Sequence, residues 1–257
     1  YLSQARGQLE RFSGGSKARA TSRGPKKACT FEKNRARAAM TDRTAPVFAR
    51  NMIGITRKYL SEIVRPALSD LSAQKTPITK TIVIAGKRIR LEFYSTVLVE
   101  KLSLAFAHKE TADSGVPDLT IHVWDSVTTD ASMLMPWSDA KFFYEPSSDR
   151  DVLERGFFGA HLNGEDTINI YDENAKEAFL WIPDAQRIPG WVCAAPVRTL
   201  LHWFFSRSKV HLVHGAAVER GGRSVLLTAK GGSGKSTTAL SCVVAGMGYL
   251  ADDYVGI

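Results

Sequence analysis

Lys235 and Ser236 are the residues best placed to do chemistry, because they close a glycine-rich run, Ala229-Lys-Gly-Gly-Ser-Gly-Lys-Ser-Thr237. An ammonium and a hydroxyl at the end of such a run make a phosphate-binding loop, in which the lysine reaches the outer phosphates of a nucleotide and the hydroxyl ligates Mg²⁺. Gly231, Gly232 and Gly234 remove side chains where the backbone must curl so that its N–H groups point inward at phosphate oxygens. The candidate nucleotide contacts are therefore Ala229, Lys230, Gly231, Gly232, Ser233, Gly234, Lys235, Ser236 and Thr237, with Ser236 also a candidate Mg²⁺ ligand. Ala229 stands where the strictest form of the motif has glycine, so the match is to the relaxed pattern of Ala or Gly, four residues, then Gly-Lys-Ser.

Such a loop works only between a strand and a helix, and both are predicted. Val225, Leu226 and Leu227 form a short continuous apolar run, the pattern of a strand buried on both faces. Leu240, Val243, Val244 and Met247 fall at helical spacing after the turn, and the helix start adds its positive dipole end to the loop. Asp252 and Asp253 follow Lys235 by 17 and 18 residues, at the end of a second apolar strand expected beside the first, where acidic side chains face the phosphates. His214 precedes Lys235 by 21 residues, in a strand within Val210–Val218 that hairpins through Gly221-Gly222 into the loop strand.

The block from His214-Gly215 through the loop to Ala251-Asp252-Asp253 resembles the catalytic domain of HPr kinase/phosphorylase and its HPr-kinase-like relatives. The resemblance covers about the last fifty residues and rests on these three motifs and their spacing. It implies an α/β P-loop kinase domain akin to phosphoenolpyruvate carboxykinase, cut short on its C-terminal side and preceded by an α+β segment. It further implies an ATP-dependent enzyme acting on a serine-like hydroxyl of a protein or peptide. Carried over, Lys235 and the loop bind ATP, Ser236 and Asp253 hold Mg²⁺, Asp252 is the general base, and His214 sits close to Asp252. Ala229 and the interior Lys230-Gly-Gly-Ser233 depart from the family loop, and the preceding residues do not look like the regulatory N-terminal domain of the bacterial enzyme. The resemblance is therefore to the broader kinase-like group, not to the bacterial enzyme itself. The alternative is a transport or regulatory ATPase, since Gly232-Ser-Gly-Lys-Ser-Thr237 also resembles the loop of ABC-transporter ATPases. An ABC domain carries its second acidic motif far downstream of a signature sequence, whereas here the acid pair comes within one helix and one strand.

The formal charge of +8 invites a nucleic-acid reading that its distribution does not support. Residues 1–39 hold ten Lys/Arg against Glu10 and Glu32, so the remaining 24 basic and 24 acidic residues cancel. That basic, apolar-poor segment reads as a disordered tail or as upstream translated sequence before Met40. Residues 40–208 read as an α+β region and 209–257 as the start of the nucleotide domain, with the substrate-binding part expected beyond Ile257.

Within 40–208 a helix is expected over Met52–Leu71 that kinks or ends at Pro66, then a hairpin around Ala85-Gly86-Lys87 and a helix from Ser95 to about His108. Strands are expected around Leu119–Val123, Phe157–Leu162, Thr167–Tyr171 and Ala178–Ile182, and a helix from Pro196 carrying Val197, Leu200, Leu201 and Phe204 on one face. Glu165, Asp166, Asp172 and Glu173 read as solvated turn residues, and Trp191 and Trp203 as core. Cys29, Cys193 and Cys242 are scattered and read as reduced thiols, and no apolar run approaches a membrane span, which points to a cytoplasmic protein. No nucleic-acid partner is expected, and homo-oligomerisation stays open.

Overall fold

Alternation of apolar and polar residues in Lys87–Phe93 puts Ile89, Leu91 and Phe93 on one face of a strand, and the same logic organises most of the chain. The computed structural model describes residues 52–113, 115–144 and 156–257. The basic segment expected over 1–39 lies outside them. Strands β1 (Met52–Ile55), β2 (Ile78–Ile84), β3 (Lys87–Phe93), β4 (Leu119–Asp125), β5 (Phe143–Tyr144), β6 (Phe157–Leu162), β7 (Thr167–Asp172) and β8 (Glu177–Ile182) form one eight-stranded sheet. Its order is β2-β3-β4-β8-β7-β6-β1-β5, parallel at β3/β4 and β4/β8 and antiparallel elsewhere. The β2–β3 hairpin turns on Ala85 and Gly86, both at positive φ (49° and 74°), as a two-residue type I′ loop requires.

Both faces of this sheet are covered. On one, Leu91, Phe93, Ile121, Val123 and Leu180 pack against Leu98 and Leu102 of helix α1 (Thr96–Leu102) and Leu200, Leu201 and Phe205 of α2 (Arg198–Ser206). On the other, Trp124, Ile168, Phe179 and Trp181 pack against Tyr59, Leu60, Val64 and Leu71 of the helical run from Arg57 to Gln74. Each large apolar side chain buried in this way contributes about 1.5–3 kcal/mol, so these two layers dominate the stability of the region.

That helical run differs from the expected one. Residues 52–55 are strand, and Pro66 does not end the helix, which continues through Gln74. Proline lacks the N–H that would close the α-helical ladder, and the turn before it widens to a π-helix over Leu60–Val64, with the Arg65 N–H bonded to the Leu60 carbonyl. The two arginines on either side, Arg57 and Arg65, both reach Asp172, with Nη1–Oδ2 at 3.0 Å and Nη2–Oδ2 at 3.8 Å.

Asp172 is therefore buried and paired, where a solvated turn residue was expected. Glu165 is corrected in the same way, bonding Arg198 at 2.8 Å, and the half-buried Glu173 bonds Arg207 at 3.0 Å, whereas Asp166 is an exposed turn residue as expected and bonds His161 at 3.0 Å. The pairings of Asp172, Glu165 and Glu173 are long-range ones that local turn chemistry does not encode. Trp191 is 62% exposed and is not core, whereas Trp203 is half-buried and stacks on Phe158. Helix α2 starts at Arg198, because Val197 adopts a left-handed conformation (φ 50°) as its N-cap. No helix among the described residues is long and apolar enough to cross a membrane.

Candidate functional site

The remaining strands, β9 (Leu212–His214), β10 (Ala216–Arg220), β11 (Arg223–Leu227), β12 (Gly248–Ala251) and β13 (Tyr254–Gly256), carry every residue singled out for chemistry or lead into it. β10 sits in the middle of a three-stranded sheet of order β11-β10-β12, and β9 and β13 form a separate two-stranded ribbon. The expected strand over Val210–Val218 is thus two strands, broken at Gly215, and the second apolar strand pairs with β10 and not with β11. β11 is left at the sheet edge, so Val225 is 49% and Leu226 38% exposed, against the expectation of a strand buried on both faces. Leu240 and Val244 are also exposed, while Val243 and Met247 are partly buried against Ala216, Val218 and Ala239.

From Leu227 the chain runs through a loop over Thr228–Gly234 into helix α3 (Lys235–Val244). Gly232 and Gly234 lie at φ 77° and 91°, conformations that a side chain would strain, and a Cβ at Gly231, Gly232 or Gly234 would meet open space. The Ser233 N–H donates to the Lys230 carbonyl (3.2 Å), closing the turn. Lys235 Nζ donates back to the carbonyls of Ala229 (3.0 Å) and Lys230 (3.4 Å), so the ammonium is held over the loop by the loop's own backbone. Gly234 gives α3 no side-chain cap, which leaves the first-turn N–H groups to another acceptor. Ser236 and Thr237 are exposed in that first turn. Beside the loop lies an open concavity of about 290 Å³, lined by Leu226, Leu227, Thr228, Ala229, Ser233, Lys235 and Thr238. Thr228 and Thr238 were not singled out by sequence; their places in the loop and one turn into the helix are the signal that could have found them.

Asp252 and Asp253 occupy a bend between β12 and β13, with Asp253 at φ 66°. They thus lie past the end of β12, and the left-handed residue turns the chain from one sheet into the other. Asp252 Oδ1 accepts from the Asp253 N–H (3.0 Å), and the Asp252 carbonyl accepts from the Tyr254 N–H (2.9 Å). The Gly215 N–H donates to the Asp253 carbonyl (3.2 Å), and His214 stands opposite Tyr254 in the β9–β13 ribbon, their rings 5.7 Å apart.

Strand register brings the pieces to one place. Leu227 pairs with Ala216 and Ala251 with Ala217, so the glycine-rich loop and the acid bend leave the sheet at the same end of β10, the end that His214-Gly215 enters. β11 and β12 flank β10, which sets the two departure points two strand spacings apart, about 10 Å. Compared with protein-family models, curated proteins and solved structures, the chain matches none.

Gly215 lies against both parts, its N–H on the Asp253 carbonyl and its Cα beside the strand that enters the loop. A Cβ there would lie 2.9 Å from the Leu227 carbonyl oxygen and 3.3 Å from Leu226 Cδ1, and a backbone oxygen in a paired strand cannot move aside. Gly215→Ala is expected to destabilise the protein by about 1–3 kcal/mol, the usual cost of overpacking. Thermal unfolding followed by circular dichroism should show a midpoint several degrees lower; an unchanged midpoint would mean that the loop entry is loose.

Proposed function

We propose that this chain binds Mg·ATP at the glycine-rich loop and transfers the γ-phosphoryl group to a serine or threonine hydroxyl of a protein or peptide, in the manner of the HPr-kinase-like group. The observation that carries this reading is the convergence at one end of β10 of a loop bearing Lys235 and a bend bearing Asp252 and Asp253. The residues fit the nucleotide: three glycines leave room for phosphate against the backbone, the helix start has uncapped donors, and Lys235 supplies the compensating charge. Ser236 and Asp253 are the residues that would hold Mg²⁺, which when bound neutralises charge on the phosphates.

Asp252 then acts on the acceptor. The hydroxyl oxygen forms a bond to the γ-phosphorus, the bond to the β–γ bridging oxygen breaks, ADP departs, and the hydroxyl proton passes to the Asp252 carboxylate. Its Oδ1 is engaged by the Asp253 N–H, which fixes the carboxylate plane. His214, beside Tyr254, tunes that step. A cytoplasmic location accords with both ATP supply and a protein acceptor.

Calorimetric titration of the chain with Mg·ATP, with AMP as control, tests the reading. ATP is expected to bind at micromolar to millimolar concentration and AMP more weakly, since the loop reads the outer phosphates. No binding of ATP at millimolar concentration would sink the assignment, and phosphate release without transfer to serine- and threonine-containing peptides would replace the kinase with an ATPase.

A further inference from the structure

The acid bend is not held by its own sheet alone. Arg198, in the first turn of α2, donates from Nη2 to Glu165 Oε1 at 2.8 Å, with the two side chains only 20% and 18% exposed. Burial pushes the Glu165 carboxyl above its usual range, while the guanidinium beside it works in the opposite direction. The other side of the same guanidinium lies over the Tyr254 ring, with Cζ 5.6 Å from the centroid. Tyr254 in turn touches His214, and its N–H is bonded to the Asp252 carbonyl. One side chain therefore links the β6–β7 turn of the large sheet to the residue that follows the two acids.

We propose that Arg198 is a positioning residue for the acid bend: anchored by Glu165, it fixes the Tyr254 ring and with it the backbone that carries Asp252 and Asp253. Its consequence for phosphoryl transfer rests on the nucleotide reading above. Several features favour a positioning role over simple adhesion between elements. Val197, the residue before Arg198, is buried, β-branched and left-handed, so the direction in which α2 presents Arg198 is imposed by the surrounding core. Val210 and Leu212, which lead into and begin β9, pack on the same core as α2, so the ribbon and the helix share a rigid base. The Asp252–Asp253 bend, by contrast, is held by three backbone-donated hydrogen bonds, two of them internal to the bend. A planar guanidinium that bonds a carboxylate at its edge and covers a ring with its face suits this joint, whereas an ammonium offers a point charge without the fork.

The test compares Arg198→Ala, Arg198→Lys and Glu165→Gln with wild type in the full chain, using Mg²⁺ and ATP as probes. The Mg²⁺ concentration for half-maximal ATP binding should rise about threefold to thirtyfold in Arg198→Ala, the equivalent of one partly buried cation–ring contact. Arg198→Lys should recover part of it and Glu165→Gln should show an intermediate rise. In parallel, the His214 ring proton signal, assigned by its loss in His214→Gln, should shift in Arg198→Ala. A merely adhesive role would lower the unfolding midpoint and leave both readouts where they were, and that result overturns the proposal. If Arg198→Ala does not fold, Glu165→Gln and Tyr254→Leu decide it by the same two measurements. Wild type that fails to bind ATP defeats the nucleotide reading instead, and the His214 signal then decides the positioning claim alone: moved upholds it, unmoved ends it.

Discussion

Lys235→Ala should lower the affinity for Mg·ATP by about 10- to 150-fold and leave the fold intact. The ammonium would make charge-assisted hydrogen bonds to the outer phosphates, each worth about 1.5–3 kcal/mol, and no other side chain of the loop except that of Lys230 carries positive charge. Its present partners are the carbonyls of Ala229 and Lys230, both residues exposed, and water replaces the lost donor at little cost. Isothermal titration of wild type and variant at fixed Mg²⁺ reads the difference, with a thermal melt to confirm the fold. Equal affinities would mean that the ammonium points away from the bound nucleotide, or that the loop is not its site.

The acid pair gives the second large effect, and the bend makes its two asparagine variants unusually clean. Asp252→Asn keeps an oxygen to accept from the Asp253 N–H, so the bend is retained while the charge and basicity are lost. Asp253 sits at φ 66°, a conformation that asparagine adopts as readily as aspartate, so Asp253→Asn is also free of new backbone strain. Asp252→Asn is expected to bind ATP almost normally and to lose phosphoryl transfer by at least about 10²-fold, the usual weight of general base catalysis. Asp253→Asn is expected to raise the Mg²⁺ concentration needed for ATP binding. His214→Ala should give a smaller defect of the first kind. A metal titration of ATP binding beside a transfer assay separates the roles. Exchanged phenotypes would swap the assignments, and full activity in both variants would reduce the pair to a polar bend between two strands.

Local chemistry in the chain was legible from sequence, and partners brought together by folding were not. Gly232 and Gly234 announce a left-handed loop because no other residue tolerates it so well, and Gly86 announces a hairpin for the same reason. The apolar run Val225–Leu227 correctly marks a strand, yet its burial depends on which strands flank it, and β12 lies on the far side of β10. Whether Glu165 meets water or Arg198 is likewise decided thirty-three residues away, by the packing of α2. The convergence of loop and acids depends on antiparallel register, which short apolar runs do not specify by themselves.

The π-turn before Pro66 carries a numerical consequence. Arg57 and Arg65 are eight residues apart, and in a plain α-helix that spacing overshoots two turns by roughly 80° and would splay the side chains to different faces. The widened turn over Leu60–Val64 absorbs one residue, so the helix counts eight as seven and both guanidiniums arrive at Asp172. An insertion that would ordinarily break the phase of an amphipathic helix is here the device that keeps it.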